Sequence, residues 1–346
     1  MKKVVIAAAI TGLGIVGCGG GGGGANVTAA AAPTVTISAS NQGKASRALT
    51  DGGQAFSSSQ PFAAPGGAAA QSAVGSPVTQ RTGVLPSMVR EGLVAAFGSH
   101  RTATIASATR PAASASSSQA CTVSGSISTT LNDADNSLSV SPGDSLQLTF
   151  DQCVESVGEL TSGSLVFTVG SVTSAASGNV QFSGSVAFVQ MTSTSTTQTT
   201  SVNGSVDVAA TITSTSFQMA LDVGSDGLTV TSSAPGYLDT IVYEAGTGLT
   251  VTATDGAVAE SDVTLNGSFT ASSIGGRVLV TTVRPLRQLG SDDYPSSGQV
   301  VLTGAAGTHL RVTALDATDV QLDLDANGDG IYETSGVFAW GSPGTI

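Results

Sequence analysis

The chain has 346 residues and a formal net charge of -12, with 40% hydrophobic, 10% charged and 4% aromatic residues. Charge this sparse excludes the highly charged class of disordered protein and leaves no basic face for nucleic acid, whereas the hydrophobic fraction is sufficient to bury a core. Two histidines, one tryptophan and three cysteines leave few side chains for catalysis or for zinc or haem ligation.

The charge is distributed unevenly along the chain. Residues 19–120 carry six basic and two acidic side chains, whereas residues 121–346 carry four arginines and 22 acidic side chains. Asymmetry on this scale indicates a domain boundary. We place the boundary at Cys121, where an acidic body follows a basic N-terminal region.

Residues 1–17 have the features of a secretory signal peptide. Lys2 and Lys3 precede an apolar run of 13 residues, Val4 to Val16, which is too short to span a hydrocarbon core of about 30 Å. Such a run is typical of a cleaved signal rather than a transmembrane helix. It ends in Ile15-Val16-Gly17-Cys18, which resembles the lipobox of bacterial lipoproteins, with isoleucine in place of the usual leucine.

The lipobox resemblance implies a lipid anchor on Cys18. It implies a diacylglyceryl thioether on that side chain, cleavage after Gly17 and acylation of the new amine. Each buried methylene of an acyl chain contributes about 0.8 kcal/mol to the free energy of membrane binding, and stable anchoring needs two or more acyl chains. Gly19 stands where an aspartate would retain a Gram-negative lipoprotein at the inner membrane. The resemblance therefore implies an outer-membrane location in the bacterial cell envelope, with the membrane as a partner through Cys18.

Residues 18–120 are predicted to form the lipidated N-terminus and a long, mostly disordered tether. A run of six glycines, Gly19 to Gly24, precedes a stretch dominated by Ala, Ser, Gly, Thr and Pro, which offers little apolar area to offset backbone entropy. A flexible linker of about 100 residues spans roughly 55 Å, more than the bilayer thickness. Leu85 to Phe97 is an exception, because its apolar residues share one helical face, either as a docked helix or as a transient one.

Residues 121–346 are predicted to form an all-β domain, a large antiparallel meander that is either an open sheet or sandwich-like. Apolar and polar residues alternate in runs separated by Gly, Asn and Asp turn signals, which favours strands with one buried face. The clearest runs are Leu146/Leu148/Phe150, Leu165/Phe167/Val169, Phe182/Gly184/Val186/Phe188, Val206/Val208/Ala210, Met219/Leu221/Val223 and Val320/Leu322/Leu324. Gly-Ser pairs recur in a weak internal repeat at Gly163, Gly184, Gly204 and Gly267.

Two cysteines remain if Cys18 is lipidated. Cys121 and Cys153 form an even pair in an oxidising compartment, which predicts a disulfide that staples the first hairpin of the body. The alternative is a pair of buried free thiols. Metal binding by these two residues alone is not expected, because neither has a histidine nearby.

The best candidate for a ligand site is a calcium-type loop near the C-terminus. Oxygen donors at loop positions 1, 3, 5, 7 and 9 would be Asp325, Asn327, Asp329, the backbone carbonyl of Ile331, and Glu333. Gly330 provides the turn at position 6, and the loop resembles those of EF-hand, dockerin and thrombospondin type 3 proteins. Gly336 stands at position 12, so Asp323, Asp319 or water would have to complete the Ca²⁺ shell. The alternative is a plain Asp/Gly-rich hairpin turn.

Other candidate chemistry is weaker. Asp133 and Asp135 have no following glycine, and their spacing favours a polar turn over a second metal site. Gly143-Asp144-Ser145-Leu146 matches the GDSL esterase motif, but the serine leads into a strand pattern, and no histidine has the Asp-x-x-His context that would supply a base. Without a base the hydroxyl is a weak nucleophile. The sequence therefore predicts a protein that is not an enzyme.

Together these features resemble uncharacterised lipoproteins of proteobacteria, which implies no activity. The resemblance rests on the lipobox, the polyglycine tether, the cysteine-bracketed first hairpin and the Asp-x-Asn-x-Asp-Gly loop. We interpret the chain as a non-enzymatic envelope scaffold or adhesive module, stabilised by Ca²⁺. The alternative is a carrier whose sheet shelters a lipid or another hydrophobic ligand. The two hypotheses differ in the core, since a carrier requires an apolar cavity of several hundred Å³.

Overall fold

The computed structural model describes residues 32–56 and 114–340, except for 138–140, 155–159, 175–179, 197, 213–215, 255–259, 290–291 and 293. In this part of the chain, helix α1 (Gln42–Phe56) precedes the strands. The strands are β1 (Ser114–Ala120), β2 (Ser124–Asn132), β3 (Ser145–Val154), β4 (Leu160–Ser174), β5 (Val180–Thr194), β6 (Thr199–Ile212), β7 (Ser216–Ala234), β8 (Tyr237–Tyr243), β9 (Gly248–Thr254), β10 (Glu260–Ala271), β11 (Gly276–Leu289), β12 (Ser297–Thr303), β13 (His309–Ala314), β14 (Asp319–Asp325) and β15 (Thr334–Ala339).

These strands form one antiparallel sheet in meander order, as predicted from the alternation of apolar residues. Nearly every strand pairs with the next one in sequence. The exception is the pair β8 and β9, which lie in line between β7 and β10. Together they act as one long strand interrupted at residues 244–247. Strands β1 and β15 stand at the two ends of the order.

One face of the sheet forms the core. Leu165, Phe167 and Val169 on β4 are 0%, 1% and 5% exposed, and the apolar inward positions predicted on β3, β5, β6, β7 and β14 are buried in the same way. All these side chains belong to one continuous cluster, which extends from α1 to Trp340. Because α1 contacts only part of this face, at β7, β8 and β10, the sheet must curve so that its inner side chains bury one another.

Glycines within the strands allow the sheet to bend. Gly163 and Gly204 have left-handed φ angles of 109° and 122° within β4 and β6. Each lies beside a shift in strand register, the pattern of a β-bulge. A bulge increases the local twist and bends the strand, so these two positions of the Gly-Ser repeat mark bends in the sheet.

Connections between strands alternate between two ends of the sheet. We call one the α1 end; it carries the connections 235–236, 272–275, 304–308 and 326–333. The opposite end carries the connections 133–144, 290–296 and 315–318. Cys121 and Cys153 belong to the α1 end, because the start of β2 pairs with the end of β3.

The folded part of the chain begins earlier than the sequence indicated. Residues 32–49, within the predicted tether, pack against the α1 end of the sheet, with Ile37, Ala45 and Ala48 at most 1% exposed. Strand β1 lies before the predicted boundary at Cys121 and pairs along its whole length with β2. Its sequence of serine, alanine and glutamine has no apolar alternation, so no pattern marked it. The predicted helix at Leu85–Phe97 lies outside the described residues.

Candidate functional site

The β14–β15 loop is built around Asp325, the last residue of β14. Its side chain is 0% exposed and accepts hydrogen bonds from the backbone N–H groups of Gly328 (2.7 Å) and Gly330 (2.9 Å). Strand β14 thus places a carboxylate beneath the turn, and the turn wraps around it. Gly330 has a left-handed φ of 86°, as the sharp turn at loop position 6 requires.

Two more carboxylates converge on Asp325. Asp329 accepts a hydrogen bond from the backbone N–H of Ile331 (2.8 Å), and Glu333 accepts one from that of Ala326 (3.0 Å). Asp325, Asp329 and Glu333 each offer one carboxylate oxygen, and these three oxygens lie within 4.8 Å of one another. Clustered carboxylate oxygens are the ligands that a hard divalent cation such as Ca²⁺ prefers.

The remaining predicted ligands differ in their placement. Asn327 lies in the same turn, where its amide donates to Asp329 (3.1 Å) and its carbonyl oxygen accepts from the N–H of Asp329 (2.8 Å). Ile331 is 66% exposed at the tip of the loop. Asp319 was a wrong choice for the extra ligand, because it begins β14 while Asp325 ends it, and six residues of extended strand span about 20 Å.

Asp323 is also not an extra ligand, because other partners engage its carboxylate. It is 3% exposed and accepts hydrogen bonds from Ser335 (2.6 Å), Gln321 (2.7 Å) and Arg311 (2.9 Å). Burial by itself would raise the pKa of Asp323, but the hydrogen bonds from Ser335, Gln321 and Arg311 and the positive charge of Arg311 together lower the pKa below its ordinary value. Asp323 is therefore a structural anion that ties β14 to β13 and β15.

A second acidic cluster lies at the opposite end, in the β2–β3 connection. Asp133, Asp135 and Asp144 each offer an oxygen, and these oxygens lie within 4.8 Å of one another. Asp144 is 3% exposed and accepts hydrogen bonds from the N–H groups of Ala134 (2.9 Å) and Ser141 (2.7 Å). Hydrogen bonds from Ser137 to Asp135 lower the pKa of that exposed carboxyl.

Sequence reasoning interpreted Asp133 and Asp135 as a polar turn and missed the contribution of Asp144. The missing signal was the hairpin itself, since β2 and β3 pair from Asn132 and Ser145 and so bring Asp144 back to Asp133.

Ser145 begins strand β3, as predicted, and so lacks the helix that follows the serine of the esterase motif. His309 begins β13, with its Nδ1 3.1 Å from Thr303 Oγ1, and His100 lies outside the described residues.

The predicted disulfide is confirmed. Cys121, between β1 and β2, is bonded to Cys153 of β3, with a Cα–Cα distance of 5.6 Å. Both residues are buried. The bond therefore holds the first three strands together at one edge of the sheet, where the inward side chains of β2 are only partly buried.

The outer face of the sheet carries shallow open grooves. One, of about 460 Å³, crosses β4 to β7. Its lining is largely serine, threonine, glycine and alanine, with the carboxylates of Asp207 and Asp222. A lining of this kind is not the apolar cavity that a carrier for a hydrophobic ligand requires.

Trp340 closes the core near the end of the described chain. It is 4% exposed, donates a hydrogen bond from Nε1 to the carbonyl of Asp316 (3.1 Å) and stacks on Tyr294 at a centroid distance of 5.8 Å.

No helix among the described residues is both long and apolar enough to cross a membrane. Comparisons of the chain with protein-family models, curated proteins and solved structures find no match.

Proposed function

We propose that the chain is a lipid-anchored, non-enzymatic scaffold or adhesive module of the bacterial cell envelope. The observation that carries this proposal is the core. The inner face of the sheet is one continuous cluster of buried side chains, and its largest members, such as Tyr243, Phe188 and Phe269, are less than 2% exposed. Side chains packed this closely leave the outer, Ser/Thr-rich face as the surface for interactions. The disulfide supports an oxidising, extracytoplasmic compartment.

The anchor is tested at Cys18. In Cys18→Ser the thiol that would carry the diacylglyceryl group is absent, so we expect the protein to move from the membrane pellet to the soluble fraction. The measurement is fractionation of whole cells followed by immunoblotting. Gly22→Ser is the matched control, because it changes the same segment outside the lipobox. Membrane retention of Cys18→Ser equal to that of the control would show that the anchor lies elsewhere.

We further propose that Ca²⁺ binds the β14–β15 loop and stabilises the fold. The support is the convergence of Asp325, Asp329 and Glu333 on one point, together with the donor spacing of the loop. The ligand set lacks a bidentate carboxylate at position 12, so an affinity of about 10⁻⁴–10⁻³ M is expected. Bound Ca²⁺ would join the end of β14 to the approach to β15.

Titration with Ca²⁺ should raise the melting temperature of the protein. With a Kd of about 1 mM, a concentration of about 10 mM adds about 1.4 kcal/mol of stability, which corresponds to a rise of about 4 °C in Tm. Asp329→Ala should abolish the rise, whereas the control Asp226→Ala, at an exposed aspartate outside both clusters, should retain it.

Two results would contradict the calcium proposal. One is a Tm of the unmodified protein that does not change with Ca²⁺. The other is a rise that persists in Asp329→Ala but disappears in Asp135→Ala, which would place the ion at the opposite end of the sheet.

A further inference from the structure

Residues 32–41 and the first half of α1 form a strap that is hydrogen-bonded to the α1 end of the sheet. The N–H groups of Thr34 and Val35 donate to the carbonyl of Arg277 (3.1 and 3.4 Å), and the N–H of Arg277 donates to Thr34 Oγ1 (2.9 Å). On the other side, the N–H of Ala305 donates to the carbonyl of Val35 (2.7 Å). The strap therefore lies between the start of β11 and the turn that precedes β13.

The surface beneath the strap is shaped for it. A Cβ atom at Gly276 would lie 2.9 Å from both Thr34 Oγ1 and Val35 Cβ. A Cβ at Gly304 would lie 2.7 Å from the Val35 carbonyl oxygen and 2.8 Å from Ile37 Cγ1. Gly304 has an ordinary φ of -97°, so its backbone does not require glycine. Close approach of the strap, together with Thr308 Oγ1 at 2.6 Å, explains the absence of a side chain there.

The strap also contributes to the core. Ile37, Ala45, Ala48 and Leu49 are at most 5% exposed and belong to the same cluster as the strands. The guanidinium of Arg47 lies 3.5 Å from the ring centroid of Tyr237, at the start of β8. Removing the strap would take these side chains out of the core and expose the strand residues packed against them, so the strap is an integral part of the body and not a spacer.

The position of the strap limits the reach of the anchor. Ala32 lies at the α1 end, where its carbonyl accepts a hydrogen bond from Arg277 (3.3 Å), and it follows Cys18 by only 14 residues. Fourteen residues reach at most about 50 Å, and a glycine-rich coil of that length typically spans about 20 Å. The full 100-residue tether expected from the sequence would span roughly 55 Å.

We propose that the strap makes the α1 end of the sheet the membrane-facing surface and holds it close to the bilayer. This proposal rests on the lipidation of Cys18 in the proposed function. The β14–β15 loop then faces the membrane, and the cluster of Asp133, Asp135 and Asp144 projects away from it. The length of β7, 19 residues or up to about 60 Å of strand, sets the height of the body. Residues 57–113 link the strap to β1 and do not set the distance to the membrane.

Two exposed leucines provide positions for measuring this orientation. Leu238 lies at the α1 end, and Leu315 follows β13 at the opposite end; they are 65% and 45% exposed. With Cys18 acylated and Cys121 and Cys153 bridged, an introduced Leu238→Cys or Leu315→Cys is the thiol available for a donor fluorophore. In the full-length lipidated protein, in vesicles containing acceptor-labelled phospholipid, we expect strong energy transfer from position 238 and much weaker transfer from position 315.

Insertions on the two sides of the strap test whether the strap, rather than the whole tether, sets the distance between the body and the membrane. A 30-residue Gly/Ser insertion after Gly24 lengthens the segment between anchor and strap, so transfer from position 238 should fall. The same insertion after Gly67 lengthens only the segment between strap and β1, so transfer should be unchanged. Both insertion points lie outside the described residues, and a circular dichroism spectrum and Tm that match those of the unmodified protein would verify that the body remains intact.

The outcomes separate the two proposals. Failure of the unmodified protein to co-sediment with vesicles would overturn the anchor and this inference together. If the protein co-sediments but positions 238 and 315 give equal transfer, or the insertion after Gly67 reduces transfer as much as the insertion after Gly24, the anchor stands and the strap orientation is overturned.

Discussion

Loss of the Cys121–Cys153 bridge should lower the free energy of unfolding by about 3.5 kcal/mol. The two cysteines are 32 residues apart, and opening a loop of that length restores its conformational entropy to the unfolded chain. The effect should be concentrated at the β1–β2 edge. The residues of β2 are half-buried or exposed, so packing contributes less there than in the central strands.

The measurement is thermal and denaturant unfolding of the double variant Cys121→Ala, Cys153→Ala. For a domain of this size, the expected fall in Tm is about 10 °C. The unmodified protein under reducing conditions is the matched control and should show a similar fall, because it loses the same cross-link without a change of sequence. Unchanged unfolding in both samples would show that the bridge contributes no stability.

Asp239→Ala should lower the free energy of unfolding by about 3 kcal/mol, because it removes a buried carboxylate that accepts three charge-assisted hydrogen bonds. Asp239 on β8 is 0% exposed. It accepts hydrogen bonds from the hydroxyl of Ser272 (2.8 Å) and from the N–H and hydroxyl of Ser273 (2.9 and 2.6 Å). This network joins β8 to the β10–β11 turn at the α1 end, next to the contact between Arg47 and Tyr237.

Urea unfolding of Asp239→Ala tests this expectation. Asp239→Asn keeps one side-chain oxygen as an acceptor and should lose less stability than the alanine variant. Asp226→Ala removes an exposed carboxylate and should remain within about 0.5 kcal/mol of the unmodified protein. A loss in Asp239→Ala no larger than that in Asp226→Ala would show that the buried network contributes nothing.

The strands with strict alternation were predictable, and the others were missed for identifiable reasons. On β4, Leu165, Phe167 and Val169 are all apolar and all buried, so the period of two is visible in the sequence. On β8 the inward positions include Asp239, a buried acid at a place where the pattern expects an apolar residue. That polar side chain is tolerated only because serines from another turn satisfy it, and this contact is not visible in a local window.

Of the two candidate metal sites, one could be recognised in the sequence and the other required the structure. Asp325, Asp329 and Glu333 lie within nine residues of one another, so their convergence could be inferred from spacing alone. Asp144 joins Asp133 only when the β2–β3 hairpin closes. The suggestion of Asp319 failed because proximity in sequence along an extended strand means separation in space.

The extent of the tether could not be inferred from composition. The strap is rich in alanine and serine, and its few apolar side chains are buried against strands that lie far away in the sequence. Thr34, for example, meets Arg277 at a separation of 243 residues. Composition predicts disorder where a segment has too few apolar residues to form a core of its own. It gives no information about whether another part of the chain provides a surface on which the segment can pack.

An antiparallel β body, a disulfide and a loop with calcium-type spacing follow from the sequence alone, because alternation, cysteine number and donor spacing are local properties. The curvature of the sheet, the buried acid network of β8 and the end of the sheet that carries the strap depend on contacts between distant residues. These features were therefore decided by tertiary packing, which joins side chains that no window of the sequence contains.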